Sequence, residues 1–171
     1  MGFLLTFLTG LFMMMSMAVN DVTYDLASEI ERELENSPAP ATEVEGVAED
    51  QTPTGKFTTA TEVRPILSAT KGSWVAVREY DGQDLVYFTN LLAWRCGLIQ
   101  VDYAINGGDL IPLAIEPCYT DTAMPNAIKA EEILPYVAFP LGSVETIEVR
   151  IVYDDLGGEA VLFSRNEVLM P

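Results

Sequence analysis

The residues that could carry out chemistry in this chain are few, and the missing ones exclude several reaction classes. The sequence contains no histidine. It therefore cannot build a Ser-His-Asp or Cys-His nucleophilic site, a His-ligated zinc or haem site, or the usual proton shuttle near neutral pH. It also has no glycine-rich phosphate-binding loop. We expect a protein that binds rather than catalyses, and we expect no cofactor.

Two short motifs have the residue types for catalysis or metal binding. Ser68-Ala69-Thr70-Lys71 matches the S-x-x-K pattern of penicillin-binding enzymes, but the S-D-N and K-T-G motifs of those enzymes are absent. Asp154, Asp155 and Glu159 could bind Ca²⁺ if their carboxylates converged, although hairpin geometry alone also selects Asp and Gly at such positions. A carboxylate pair for glycoside hydrolysis would have to face across a cleft, which sequence spacing does not indicate. We predict no catalytic residues and no metal site.

The most distinctive stretch runs from Trp74 to Trp94 and combines aromatic side chains with two arginines. On an exposed sheet face, such side chains could stack on sugars or anchor a protein partner, with the arginines adding directional hydrogen bonds. In a small β-fold, however, Trp and Tyr commonly fill the core, and arginines commonly pair with nearby carboxylates. We favour a place in the core, and we keep a candidate binding surface that consists of Trp74, Arg78, Tyr80, Tyr87, Trp94 and Arg95.

Cys96 and Cys118 are the only cysteines and predict one disulfide in an exported chain. The two are equidistant in sequence from Gly107. A hairpin that turns at residues 106–108 would therefore place them opposite each other on antiparallel strands, within reach of a bridge. Pro112 and Pro117 predict that this hairpin is bent or lies at a sheet edge. Closing the loop should stabilise the fold by about 3 kcal/mol.

The charge balance limits the possible partners. The chain of 171 residues has 26 Asp and Glu against 9 Lys and Arg, a net charge of −17. A nucleic-acid partner would need clustered cations that neutralise phosphates, so we exclude DNA and RNA. The partner that we expect is another protein of the envelope or membrane.

The N-terminal region indicates an extracytoplasmic location. Residues 3–19 carry no charged side chain, and small residues before Asn20 suit cleavage after Ala18. We predict that residues 1–18 are a signal peptide or, alternatively, an uncleaved membrane anchor, because the apolar run is about the length that either requires. Membrane association through residues 3–19 would accompany the second case. We expect residues 19–35 to form a short acidic helix and residues 36–56 to form a disordered, acidic linker that contains proline.

From residue 57 onward the sequence shows short β-branched and aromatic runs separated by turn residues, which is typical of an all-β domain. We predict a small β-sandwich over residues 57–171, immunoglobulin-like in the loose sense, with an open barrel as the alternative. Turns at 81–83, 106–108 and 154–158 predict three hairpins. The predicted strands cover residues 57–63, 73–80, 85–89, 98–105, 110–115, 136–139, 144–153, 159–164 and 167–170, and residues 125–134 could form a short helix.

The blocks WVAVREYDGQDLVYFTNLLAWRCGL, EPCYTD and IVYDDLGGEAVLFSRNEVLMP resemble a family of uncharacterised exported proteins of α-proteobacteria. The resemblance covers about residues 57–171. It implies a Gram-negative cell envelope and brings no activity, cofactor or site residue.

Together these observations predict a non-catalytic β-sandwich protein that binds another protein in the periplasm, or faces the periplasm from an inner-membrane anchor. A carbohydrate-binding or glycan-hydrolysing domain is one alternative, with Trp74, Tyr80, Tyr87 or Trp94 as its platform. A small anchored accessory subunit of a membrane complex is another. The position of the aromatic side chains, in the core or lining a groove with two acids, distinguishes the binding protein from the hydrolase.

Overall fold

The computed structural model describes residues 46–171, which form two antiparallel sheets and a few short helices. The strands are β1 (Ala76–Tyr80), β2 (Gln83–Tyr87), β3 (Leu98–Ile105), β4 (Ile111–Pro112), β5 (Tyr136–Pro140), β6 (Thr146–Tyr153) and β7 (Gly158–Ser164). The helices are α1 (Ala60–Ala69), α2 (Thr89–Leu92) and α3 (Arg165–Val168), and 3₁₀ turns cover Lys71–Ser73 and Arg95–Gly97. The prediction of a small, mainly β fold is confirmed.

The strands divide into a three-stranded sheet with the order β1-β2-β5 and a four-stranded sheet with the order β4-β3-β6-β7. Strand β6 has the alternation that its sequence predicts. Ile147, Val149, Ile151 and Tyr153 are buried, while the residues between them are half-buried. Because successive side chains of a strand point to opposite faces, this pattern fixes which face of the larger sheet joins the core.

All three predicted hairpins are present. The β1–β2 turn has positive φ at Asp81 and Gly82, and the β3–β4 turn has positive φ at Asn106 and Gly107. The turn between β6 and β7 has positive φ at Leu156. Asn, Asp and Gly tolerate this conformation best, which explains why the first two turns could be predicted. In the third turn the positive φ falls on Leu156 and not on the glycines that follow it.

A single hydrophobic cluster joins both sheets and α1. It includes Val77 and Val86 of the smaller sheet, Val149 of the larger sheet and Leu67 of α1, all completely buried. Trp74 lies in the same cluster, and its indole Nε1–H donates a 3.0 Å hydrogen bond to the Leu67 carbonyl. The expectation that this tryptophan belongs to the core is therefore confirmed.

The predicted strand at residues 57–63 is wrong, because this part of the chain leads into helix α1. Ala60, Val63 and Leu67 repeat at helical spacing and are all completely buried. In the first turn of α1, the Glu62 carboxylate accepts hydrogen bonds from the backbone N–H groups of Gly55 and Thr58, which precede the helix. Side-chain acceptors in the first turn satisfy donors near a helix start, which favours helix over strand here.

Several other boundaries differ from the prediction, among them those of the strands predicted at 73–80 and 85–89, which cover Ala76–Tyr80 and Gln83–Tyr87. Residues 167–170 do not form a strand, since α3 begins at Arg165 with a capping box between Ser164 and Glu167. The predicted helix at residues 125–134 is absent from the structure, which shows turns, bends and irregular chain there. The predicted strand at residues 110–115 is reduced to Ile111–Pro112. Residues 113–135 thus form a long connection, which we call the 113–135 loop.

The predicted N-terminal segments at residues 1–18 and 19–35 lie outside the described residues, as does the linker up to residue 45. In the described part of the linker, Glu49 N–H donates to the Asp154 carbonyl at 2.8 Å. The Gln51 amide donates to Asp154 Oδ1, also at 2.8 Å. This part of the linker is thus attached to the β-domain and is not free. None of the helices within residues 46–171 has the length and apolar character to cross a bilayer.

Cys96 and Cys118 form a disulfide with a Cα–Cα distance of 5.1 Å. Strands β3 and β4 pair in the predicted register. Asp102 pairs with Pro112 and Tyr103 with Ile111, and in each pair the two residues are equally far in sequence from Gly107. The predicted placement of the cysteines on opposed strands is wrong, however. Strand β3 begins only at Leu98, so Cys96 lies in the 3₁₀ turn before it, and β4 ends at Pro112, so Cys118 lies in the 113–135 loop.

We predict that Gly97→Ala destabilises the domain by about 1 to 3 kcal/mol. A Cβ at position 97 would lie 2.5 Å from Val63 Cγ2 and 2.9 Å from the Thr59 carbonyl oxygen. Because one of these neighbours is backbone, α1 would have to shift away from the turn. Urea denaturation measures the change, and Gly72→Ala is the matched control because its Cβ would meet nothing within 4 Å. Equal unfolding midpoints for the two variants would contradict the packing argument.

Candidate functional site

The three-stranded sheet presents one face to the core and one away from it. Val77 and Val86 point to the core. Because paired residues share a face and alternate along each strand, the residues between them point the opposite way. We call this opposite side the outer face. It consists of Ala76, Arg78 and Tyr80 of β1, Gln83, Leu85 and Tyr87 of β2, and Tyr136, Ala138 and Pro140 of β5.

The composition of the outer face differs from that of the whole chain. The chain has 26 acidic residues, yet none of the strand positions that form the outer face is Asp or Glu. Its one charged residue is Arg78. Three tyrosines and several apolar residues make up most of the rest. The outer face is therefore an aromatic surface with a single positive charge.

Two aromatic contacts organise this face. The rings of Tyr87 and Tyr136 lie opposite each other on β2 and β5, with centroids 5.0 Å apart. At the other end of β1, the Arg78 guanidinium lies over the Tyr80 ring, 5.1 Å from its centroid. Tyr80 is 59% exposed. Cross-strand aromatic pairs and cation–π contacts each stabilise such an arrangement by about 0.5 to 1 kcal/mol, so the face is held together without carboxylates.

A cavity of about 290 Å³ adjoins the outer face where β1 begins and β2 ends. It is lined by Ala76, Arg78 and Tyr87 of the outer face together with Ser73, Trp74, Val75, Thr89, Asn90 and Met170. Its volume lies near the lower end of the range of about 300 to 1,000 Å³ that is typical of small-ligand sites. It can therefore hold a small group or a side chain of a partner.

Hydrogen bonds from distant parts of the chain fix the cavity walls. The Asn90 side-chain amide donates to the Ser73 carbonyl at 3.0 Å, which connects the start of α2 to the turn before β1. Met170 N–H donates to the Val77 carbonyl at 2.8 Å and places the C-terminal residues along β1. The Trp74 side chain is also held in place, by its hydrogen bond to the Leu67 carbonyl. Three hydrogen bonds therefore fix the positions of residues that line the cavity.

The structure divides the six residues of the predicted binding surface. Trp74, Arg78 and Tyr87 meet at the cavity, and Tyr80 lies further along the outer face. Trp94 lies elsewhere, partly buried, with its ring 5.2 Å from that of Phe57 in an edge-to-face contact. The prediction of one surface that includes Trp94 and Arg95 is therefore not supported by the geometry.

Arg95 has a structural environment and is only 2% exposed. Its guanidinium donates hydrogen bonds to the carbonyl oxygens of Leu92, Glu116, Pro117, Asn126 and Ala127 at 2.8 to 3.3 Å. Its nearest carboxylate oxygen, on Glu116, is 3.8 Å away. Carbonyl groups, rather than the predicted salt bridge, are thus its main partners, and they fasten two stretches of the 113–135 loop.

Glu116 completes this attachment of the loop. The backbone N–H groups of Lys129 and Ala130 and the Tyr119 hydroxyl donate to its carboxylate. The hydrogen bond from Lys129 is the largest of the contributions that lower the pKa of Glu116, and it outweighs the opposing effect of burial. The negative charge is therefore retained inside the loop, next to Arg95.

The S-x-x-K motif belongs to an ion-pair cluster. Lys71 Nζ lies 2.5 Å from one carboxylate oxygen of Glu159, and Ser68 Oγ donates to the other at 3.5 Å. The Tyr153 hydroxyl donates to Glu159 as well, at 2.7 Å. Burial alone would raise the pKa of Glu159, but these donors lower it. Lys71 is therefore directed toward Glu159 as a charge partner and not toward Ser68 as a base.

The three carboxylates that could have formed a calcium site point to different partners. Asp154 Oδ1 accepts from Ala60 N–H at the start of α1, Asp155 pairs with Arg64 at 2.6 Å, and Glu159 pairs with Lys71. Within residues 46–171 no three side chains of the ligand types cluster closely enough to hold a metal ion.

Sequence reasoning missed Tyr136, Asn90 and Met170, which complete the outer face and the cavity. Tyr136 follows its partner Tyr87 by almost fifty residues, so no local pattern connects the two. The one sequence feature that could have indicated Tyr136 is its position at the start of the strand predicted at residues 136–139. Comparison of the chain with protein-family models, with curated proteins and with solved structures gives no match.

Proposed function

We propose that the chain is a non-catalytic protein of the cell envelope that binds another protein through its outer face. One observation carries the proposal: a chain with a net charge of −17 keeps a whole sheet face free of acidic residues. Charged residues other than arginine are depleted in the centres of protein interfaces, where Tyr and Arg are enriched. The outer face has this composition.

The finer architecture and the location form part of the proposal. We take the two sheets to pack face to face as a small sandwich, which the single core with side chains of both sheets supports. An extracytoplasmic location, periplasmic or facing the periplasm from an anchor, is supported by the disulfide and by the uncharged run at residues 3–19.

Glycan binding is the competing function, because Tyr80 and Tyr87 on the outer face could stack on sugar rings. Hydrolysis of a glycan would in addition need two carboxylates about 5 to 9.5 Å apart beside the sugar. None of the outer-face residues is an acid. A protein partner therefore suits this face better than a glycan substrate.

The test introduces a negative charge on the outer face. Tyr80→Glu and Ala138→Glu alter exposed positions and remove no core contact. The tagged full chain is expressed in its own cells, and the proteins that co-purify from envelope extracts are quantified by mass spectrometry. We expect both variants to lose a specific co-purifying protein at least tenfold, a free-energy change of about 1.4 kcal/mol.

Leu162→Glu is the matched control because Leu162 is 67% exposed and lies on β7 of the other sheet. It should leave the co-purifying protein unchanged. The proposal fails if all three variants behave like the unaltered chain. It also fails if a glycan array binds the unaltered chain and loses that binding in Tyr80→Glu, since the face would then serve a sugar.

A further inference from the structure

We propose that the cavity beside the outer face receives a segment of the partner protein in which a carboxylate lies next to a large apolar side chain. Arg78 would pair with the carboxylate, and the apolar side chain would enter the cavity. The inference rests on the proposed function and names the chemistry that the partner must present.

The charge of Arg78 is the first argument. Within residues 46–171, the arginines at positions 64, 95, 150 and 165 each have a carboxylate oxygen within 4.0 Å. Arg78 is the one arginine of the described residues without such a neighbour. Among the described residues, then, no carboxylate neutralises this charge, and it can pair with an external carboxylate.

The orientation of Arg78 is the second argument. Its guanidinium lies over the Tyr80 ring, and it also forms part of the cavity wall. A guanidinium held on an aromatic ring keeps its edge available for two parallel hydrogen bonds to a carboxylate. Because no acid lies on the outer face, an incoming carboxylate meets no like charge there.

The cavity lining accounts for the apolar part of the segment. Tyr87 and Met170 contribute accessible apolar surface, and the buried Trp74 and Val75 lie behind it. The volume of about 290 Å³ suits one large side chain. Methionine adapts its shape to what it contacts, so Met170 can adjust to different apolar residues. Ser73 and Thr89 add hydroxyl groups that can hydrogen-bond the backbone of an extended segment.

An array of blocked hexapeptides provides the probe. Each peptide carries Glu or Asp one to three residues from Leu, Ile, Met or Phe, and a matched array replaces the acid by Gln or Asn. The purified full chain with its disulfide intact is applied to both arrays, and peptides that bind are titrated while amide signals of cavity residues are followed by NMR. We expect acidic peptides to bind at least tenfold more tightly than their amide counterparts.

Arg78→Met keeps the length and apolar stem of the side chain and should abolish the preference for acidic peptides. Arg150→Met, which changes an arginine of β6 instead, should retain it. The inference is overturned if the two arrays bind alike, if no peptide binds, or if Arg78→Met keeps the preference. If the outer-face variants Tyr80→Glu and Ala138→Glu nevertheless lose the partner from cells, the proposed function stands and only the carboxylate recognition fails.

Discussion

Replacing Arg95 by methionine is expected to lower the free energy of unfolding by about 3 to 5 kcal/mol. The substitution removes the donors of five backbone carbonyl groups at once, in a position that is 2% exposed. It also leaves the Glu116 carboxylate, which is 8% exposed, without its nearby cation. Methionine fills a similar volume but cannot satisfy any of these groups. Urea denaturation of the domain with its disulfide intact measures the effect.

Arg150→Met is a suitable control for this experiment. Arg150 is partly exposed and pairs with Glu148 at 2.7 Å on the same strand. A pair of this kind contributes about 0 to 1 kcal/mol, so the control should stay close to the unaltered domain. If Arg95→Met were no less stable than Arg150→Met, the 113–135 loop would have to be fastened by other contacts, and our account of Arg95 would be wrong.

Asp84→Asn is expected to destabilise the domain at neutral pH by about 3 kcal/mol, because it breaks a buried ion pair. Asp84 is completely buried, and its two carboxylate oxygens accept hydrogen bonds from Arg165 at 2.7 and 2.9 Å. Val144 N–H donates to the same carboxylate at 3.1 Å. Within residues 46–171, the variant would leave the Arg165 charge with only Glu79 as an acidic partner.

The same pair predicts how stability depends on pH. Hydrogen bonds from Arg165 are the main cause that lowers the pKa of Asp84 to about 2, from an ordinary value of 3.8. The folded state therefore binds the proton less readily than the unfolded state. The contribution of the pair is complete above about pH 4 and is lost as the pH falls toward 2.

Measurements of the unfolding free energy at pH 7, 4 and 2.5 test this prediction. The unaltered domain should lose more stability between pH 4 and 2.5 than Asp84→Asn does. Asp81→Asn is the matched control, since Asp81 is exposed and asparagine tolerates its positive φ. Parallel pH curves for the unaltered domain and Asp84→Asn would show that this carboxylate is not specifically stabilised in the folded state.

The elements of the fold that could be predicted are those with a recognisable pattern within a few consecutive residues. The alternation in β6 and the glycine-containing turns are properties of a few consecutive residues, and both are as expected. Helix α1 was missed because Thr58 and Thr59, with Phe57 before them, favour a strand on their own. The hydrogen bonds that Glu62 accepts from residues 54–59 favour the helix, but they form only when this segment folds back toward Glu62, so a strand or helix pattern in the sequence does not indicate them.

The 113–135 loop shows why the rest could not be predicted. Its conformation depends on Arg95 and Cys96, which precede it by about twenty residues or more, and on carbonyl groups that every sequence has. Glu116 holds the loop from within, but its backbone partners at Lys129 and Ala130 lie more than ten residues away, so no local pattern predicts these contacts. The candidate site likewise combines residues that are distant in sequence. Trp74 to Tyr87 stand out in the sequence, but Tyr136 and Met170 join them only through strand pairing and the return of the chain to β1.

The position of Met170 has a consequence for self-association. Strand β1 forms a border of the three-stranded sheet, and an unpaired border is where strands of other molecules can add. The bridge between Val77 and Leu169, with the hydrogen bond from Met170 to Val77, already occupies part of that border. This part of β1 therefore cannot accept a strand of another molecule, which limits extension of the sheet on that side.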